Sequence, residues 1–202
     1  MSPDLAGATQ YALERLSRDL PPQLCYHGVE HTRDDVAPMS VRLAAESHIH
    51  GIDLLLLQTA AYFHDIGFVT QRAGHEEAGV AIAAAILPTF GYHADHVRHI
   101  ADLIRATQVP QNPRSLLGAI LADADLDVLG RDDFFTHNRI LRQELANYGE
   151  HHTDLEWYSR QLAFLQQHRY WTPAARRLRG ATKQRNQAQL AALLAEAHEQ
   201  RG

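Results

Sequence analysis

The 202-residue sequence predicts an all-α fold, on three observations. Segments rich in Ala, Leu, Arg and Gln recur with apolar residues at helical spacing. The period-2 alternation of β-branched residues that marks strands is almost absent. Gly and Pro residues such as Pro21-Pro22, Gly51, Gly74, Gly91 and Pro110 to Pro113 punctuate the helical segments, while Pro38 falls inside one.

Taken in order, the pattern places helices at about 4–19, 29–49, 52–64, 75–87, 93–107, 114–129, 131–148, 154–168 and 184–199. Pro21-Pro22 ends the first, because proline has no N–H and cannot continue a helix. The second contains Pro38, which should kink it one turn after His31 or split it in two. Gly51 separates the second from the third, an apolar run reading LLLLQTAAYFHDIGF. Gly74 introduces the fourth, whose first turn carries Glu76 and Glu77, both favourable to the helix dipole. Gly91 precedes the fifth and the Pro110–Pro113 segment precedes the sixth. Gly130, Gly149 and Gly180 punctuate the remainder. The last helix, QLAALLAEAHEQ, is amphipathic and suited to dock on the body or on a second subunit, so a homodimer is a candidate assembly.

Composition narrows the class. The formal charge is −5, and no Lys/Arg stripe appears before residue 176, so no nucleic-acid polymer is expected as a partner. A single cysteine, Cys25, allows no internal disulfide and suits a reducing compartment. The longest purely aliphatic run, Leu54 to Leu57, is far short of a membrane span, and the first residues lack a secretory pattern. A cytoplasmic protein of one domain over residues 1–202 is expected, with its core at about 24–130 and a helical extension at 131–202.

The apolar run ending in His64-Asp65 carries the chemistry. Burying these two polar groups is costly unless something compensates them, and a metal ion can. The pair alone is weak, since 14 histidines make a chance His-Asp expected; alternatively, Asp65 bonds local backbone and Gly67 supplies a C-terminal turn. Two other stretches offer completion: Tyr26–Thr32, with His27 and His31 one helical turn apart, and Ile120–Gly130, with Asp123, Asp125 and Asp127. Asp123 and Asp125 would point about 200° apart on a helix, so they cannot share one ion. A donor set of nitrogen and oxygen without sulfur suits Mn, Fe, Mg, Zn, Ni or Co.

The order His, His-Asp, Asp resembles the HD superfamily of metal-dependent phosphohydrolases, and among them the small stand-alone bacterial HD proteins. Five blocks carry the resemblance: Tyr26-His27…His31-Thr32, Ala60 to Gly67, His75-Glu76, Leu103 to Thr107, and Asp123 to Gly130. It implies a helical bundle with one divalent ion between helices, held by His31, His64, Asp65 and Asp125. The His directly before Thr is the family's ligand, and the last ligand follows an alanine, a context that Asp125 fits and Asp123 partly shares. The resemblance further implies that Asp65 orients the attacking water. His75 is then expected as a proton donor or phosphate contact, with His27, Glu76 and Thr107 lining the substrate opening. Family members with two metals carry a later His-His pair, and here Leu103–Gln108 has none. That argues for one metal and against a di-iron oxygenase; a sensor that binds a nucleotide without turnover is the remaining alternative. The substrate is expected to be a small phosphorylated compound, a nucleotide first.

The dense basic run Arg176–Asn186, which includes Lys183, offers phosphate contacts, a solvated face or an oligomer contact, and Tyr170-Trp171 reads as an aromatic anchor under that loop. Asp127 is expected to face solvent or to bond near its helix end. His93, His96, His99, His151 and His152 read as surface positions without a role.

Overall fold

The computed structural model describes residues 3–199, which form nine α-helices joined by π and 3-10 turns, with no strand among the described residues. Contacts divide the chain into two compact units, the first ending at Asp125 and the second starting at Leu126.

In the first unit, α1 (Leu5–Asp19) starts where the Asp4 carboxylate accepts the Gly7 N–H at 3.0 Å, and it buries Ala8, Ala12 and Leu16 along one stripe. The segment around Pro38 does not split into two helices. Residues His31–Val36 form a π-helical turn that runs directly into α2 (Ala37–Glu46). Ala37 donates its N–H to Thr32, five residues back, so the helix widens just ahead of the proline that cannot donate.

α3 (Gly51–Phe63) buries Leu56, Leu57, Ala60, Ala61 and Phe63. It packs against α1, α2, α5 (Ala94–Arg105) and α6 (Leu116–Asp125), which makes it the axis of this unit. After His64 and Asp65 the chain tightens into a 3-10 turn, Ile66–Val69, and enters α4 (His75–Ile86) through Gly74 at φ 69°. α6 ends at Asp125, short of the expected 129, because a separate 3-10 turn, Asp127–Gly130, follows.

Gly67 does not supply a left-handed turn, since its φ is not positive. Its role is close approach. A Cβ there would lie 1.8 Å from the His75 carbonyl oxygen and 2.6 Å from the Gly79 nitrogen. The missing side chain lets the first turns of α4 press onto the turn that follows His64-Asp65.

The second unit holds α7 (Phe134–Asn147), α8 (Asp154–Gln167) and α9 (Pro173–Glu199). Its core is Leu129, Phe134, Leu165 and Leu190. Beside it, the buried Trp157 donates its indole N–H to Asn138 at 2.7 Å. A capping box of Thr153 and Glu156 opens α8.

Three expectations fail in this unit. α9 begins at Pro173 rather than 184, and Gly180 lies inside it instead of breaking it. The basic run is therefore helical, not a loop, and its cations are spent within the unit. Arg176 bonds the carbonyls of Tyr170 and Trp171, Arg179 chelates Asp127 at 2.6 and 2.9 Å, and Arg185 reaches Asp132 at 3.0 Å. Asp127 is accordingly buried rather than solvent-facing. Asn186 also donates to the carbonyls of Leu129 and Arg131. These long-range bonds hold the helix through its glycine, whose intrinsic penalty is only about 1 kcal/mol.

Candidate metal centre

Four side-chain atoms from three helical segments converge in the first unit. His31 enters from the π turn, His64 and Asp65 from the end of α3, and Asp125 from the end of α6. Asp125 Oδ1 lies 3.3 Å from His31 Nε2 and 3.5 Å from His64 Nε2. Asp65 Oδ2 lies 3.3 Å from His64 Nε2 and 3.8 Å from His31 Nε2. Metal–ligand bonds of about 2.0–2.2 Å put neighbouring donors roughly 3–3.6 Å apart. Three of these separations fall in that range and the fourth is slightly longer. The ligand atoms of His31, His64 and Asp65 all lie within 4.8 Å of one another, as a shared cation requires, with Asp125 set against the two histidines.

The protonation pattern points the same way. His64 Nδ1 sits 2.8 Å from the Ala61 carbonyl, which can only accept, so Nδ1 carries the proton in the neutral ring. Nε2 is then left with a lone pair. It and Asp65 Oδ2 are both buried and neither makes a hydrogen bond, although they are only 3.3 Å apart. Two acceptors aimed at one buried point are costly unless a positive charge occupies it.

Without a metal ion the same demand falls on a proton. Burial disfavours the charged His64 ring, yet the carboxylates of Asp65 and Asp125 outweigh it and hold the imidazole well above its ordinary value, so a bound metal would take the place of the Nε2 proton. Burial also opposes ionisation of Asp65, but His64 and His75 keep it well below the usual carboxylate range. Asp125 is lowered to about 2 against the same burial penalty, through His31 and His64. The cluster thus keeps two anions and draws a cation toward them.

Around this centre, His75 at the start of α4 has its Nε2 3.4 Å from Asp65 Oδ1. Its Nδ1 lies 3.3 Å from the Arg72 carbonyl and 3.7 Å from Glu76 Oε2, and Glu76 is itself buried. His27 is not on the helical turn of His31, because the chain bends there; its half-buried ring lies 6.1 Å from that of His31. Asp123 is fully buried on α6, and Asp125, two residues on, supplies the oxygen facing both histidines.

Thr107, expected at the substrate opening, and Lys183, offered as a phosphate contact, both make bonds within the protein. Thr107 is buried and donates its hydroxyl to the Ile104 carbonyl at 2.8 Å. Lys183, in the second unit, is buried with its ammonium on the His168 carbonyl and 5.8 Å from the Tyr170 ring centre. Of the histidines expected on the surface, His93 and His151 are exposed, while His96, His99 and His152 are half-buried. The sequence reading missed Phe68, whose ring stacks on His75 at 3.8 Å. The only signal for it was its place immediately after His-Asp-Ile-Gly.

An all-helical scaffold that gathers the buried His31, His64 and Asp65 beside the half-buried Asp125 defines a helical protein with a candidate cation site. Residues 29–127 match the HD domain family, and the chain is an HD-domain protein. It is similar to a predicted HD superfamily hydrolase from an uncultured Thermotogales bacterium, with 22% identity and a TM-score of 0.59 over 99% of this chain and 94% of that one. It is also similar to Bacillus subtilis YpgQ, solved in complex with ADP, with 18% identity and a TM-score of 0.66 over 95% of this chain and 93% of that one. At these identities the likeness establishes a shared fold. No curated protein matches the sequence.

Proposed function

We propose that this protein is a metal-dependent phosphohydrolase acting on a small phosphorylated compound, a nucleotide first. The observation that carries the reading is the pair of buried, unpartnered acceptors, His64 Nε2 and Asp65 Oδ2, beside His31 and Asp125. These four residues would hold one divalent ion. Such an ion supplies Lewis acidity toward a phosphoryl oxygen and lowers the pKa of water.

The chain's own groups do the rest. Asp65 has one oxygen turned to the donor cluster and the other to His75, which suits it to orient a water molecule by hydrogen bonding. His75, with Nε2 at the edge of the cluster, can deliver a proton to the leaving oxygen. Glu76, close to His75 Nδ1, favours the ring orientation that presents Nε2 inward. His27 would line the opening. The nucleotide preference draws support from the similar YpgQ, which binds ADP.

The test is metal analysis of the purified protein, then a phosphate-release screen over ADP and other nucleotides with Mn, Ni, Co and Mg. Release that disappears on chelation and returns with one of these ions is expected. Hydrolysis that persists unchanged after rigorous metal removal would sink the reading, and tight ADP binding without turnover would replace it with a sensor.

A further inference from the structure

Phe68 sits three residues after Asp65 on the same 3-10 turn, and its N–H donates to the Asp65 carbonyl at 3.0 Å. Its ring is almost entirely buried and touches two imidazole rings. His75 stacks on it with centroids 3.8 Å apart and planes 16° apart, and His27 packs at 4.8 Å and 31°. Against this, the polar tethers of the His75 ring are loose. The Nδ1 contact to the Arg72 carbonyl is 3.3 Å and that to Glu76 is 3.7 Å, both beyond the usual 2.9–3.0 Å of an N–H···O bond. Polar contacts of this length, the 3.4 Å one from Nε2 to Asp65 included, restrain the ring only weakly. The aromatic face leaves it one plane.

We propose that Phe68 is the positioning residue for His75: one short turn carries both Asp65 and the ring that holds His75 Nε2 against Asp65 Oδ1. This rests on the reading of His75 as the proton donor given above. The arrangement is economical because both partners of the 3.4 Å contact take their position from four consecutive residues. α4 needs only to press onto the turn, as the bare Cα of Gly67 permits. A shift of about 1 Å at a reacting group costs on the order of 10²-fold in rate, so the stack has a kinetic consequence.

The experiment combines crystal structures with a double-mutant cycle on turnover. Phe68→Leu and Phe68→Met both remove the flat face; Met keeps more of the volume, should Leu prove too small to fold. Phe68→Tyr keeps the face. In the Leu or Met variant His75 should leave the position beside Asp65, and in the Tyr variant it should stay. Turnover should fall about 10²-fold in the flat-face deletions, mainly in kcat rather than KM. In a His75→Ala background the same deletions should have no further effect on kcat. A residue that merely fills space would lower activity by the same factor in both backgrounds. An unmoved His75 in the Leu or Met structure, or equal losses with and without His75, overturns the proposal. If the unmodified protein releases no phosphate, the hydrolase reading fails, while the His75 position in the variant crystals still decides the role of Phe68.

Discussion

Replacing Gly67 with alanine is a severe test of how this site is assembled. The added Cβ would fall 1.8 Å from the His75 carbonyl oxygen, 2.8 Å from the His75 carbonyl carbon and 2.6 Å from the Gly79 nitrogen. All three are backbone atoms, so no side-chain rotation relieves the clash. An ordinary carbon–oxygen contact needs about 3.2 Å or more, so the start of α4 must retreat by at least about 1 Å. Overpacking of this kind costs about 1–3 kcal/mol, occasionally more, and an all-backbone clash belongs at the upper end. With a urea m-value of about 2 kcal/mol/M, the unfolding midpoint should drop by roughly 1–1.5 M. The same retreat pulls His75 from Asp65, so turnover should fall by about 10²-fold in molecules that remain folded. Gly180→Ala is the control. Gly180 lies within α9 in open space, so alanine there should be neutral or stabilise by up to about 1 kcal/mol. An unchanged urea midpoint and normal turnover for Gly67→Ala would refute the claim that α4 is held against this turn by a missing side chain.

Further outcomes follow from the same geometry. Asp125→Ala should abolish tight metal binding, measured as metal per chain after dialysis, whereas Asp123→Ala should retain it; equal loss in both would undo the choice of Asp125. His75→Ala should keep about one metal per chain and lower turnover by about 10²–10⁴-fold. A stoichiometry near two that the mutation halves would instead make His75 a ligand of a second ion. His168 has both ring nitrogens buried without a partner, and burial, then Lys183, lowers its pKa from 6.5 to about 4. The unfolded chain therefore binds more protons between those values, so stability is complete above about pH 6.5 and falls as the pH drops toward 4, by up to about 3 kcal/mol. Urea midpoints at pH 7 and pH 5 should differ in the unmodified protein and converge in His168→Phe; identical pH dependence in both would reject the assignment. Asp127→Ala should destabilise by about 3–5 kcal/mol by leaving Arg179 without its buried partner, read as a lowered Tm. A loss below about 1 kcal/mol would mean that the pair behaves like an exposed one.

Much of the helical framework is legible in the sequence because its signals are local. Gly74 and Gly91 adopt the positive φ values that their places between helices suggest, and Thr153 with Glu156 spells out the start of α8. Local signals mislead where distant residues intervene. Gly180 reads as a break, but Arg179 on Asp127 and Asn186 on the carbonyls of Leu129 and Arg131 hold α9 continuous through it. The basic run that contains them reads as free charge, for phosphate, solvent or another subunit, for the same reason: a sequence shows the charges but not their partners. Pro38 announces a disturbance without stating its form, since the wider π turn depends on how far upstream the helix can loosen.

At the candidate centre, the sequence by itself determined the donor types, their order along the chain and the absence of sulfur, because these are properties of residues and spacing. Helical phase separates Asp123 from Asp125 but cannot say which one faces the histidines. That depended on how α6 packs against α2 and α3. The Phe68 stack and the need for a bare Cα at Gly67 also lay beyond the sequence. Both arise where α4 meets the turn after Asp65, and a contact between backbones has no sequence signature of its own. Periodicity and motif are written in neighbouring residues, whereas convergence within a few ångströms is a property of packed helices, and only the tertiary structure decided it.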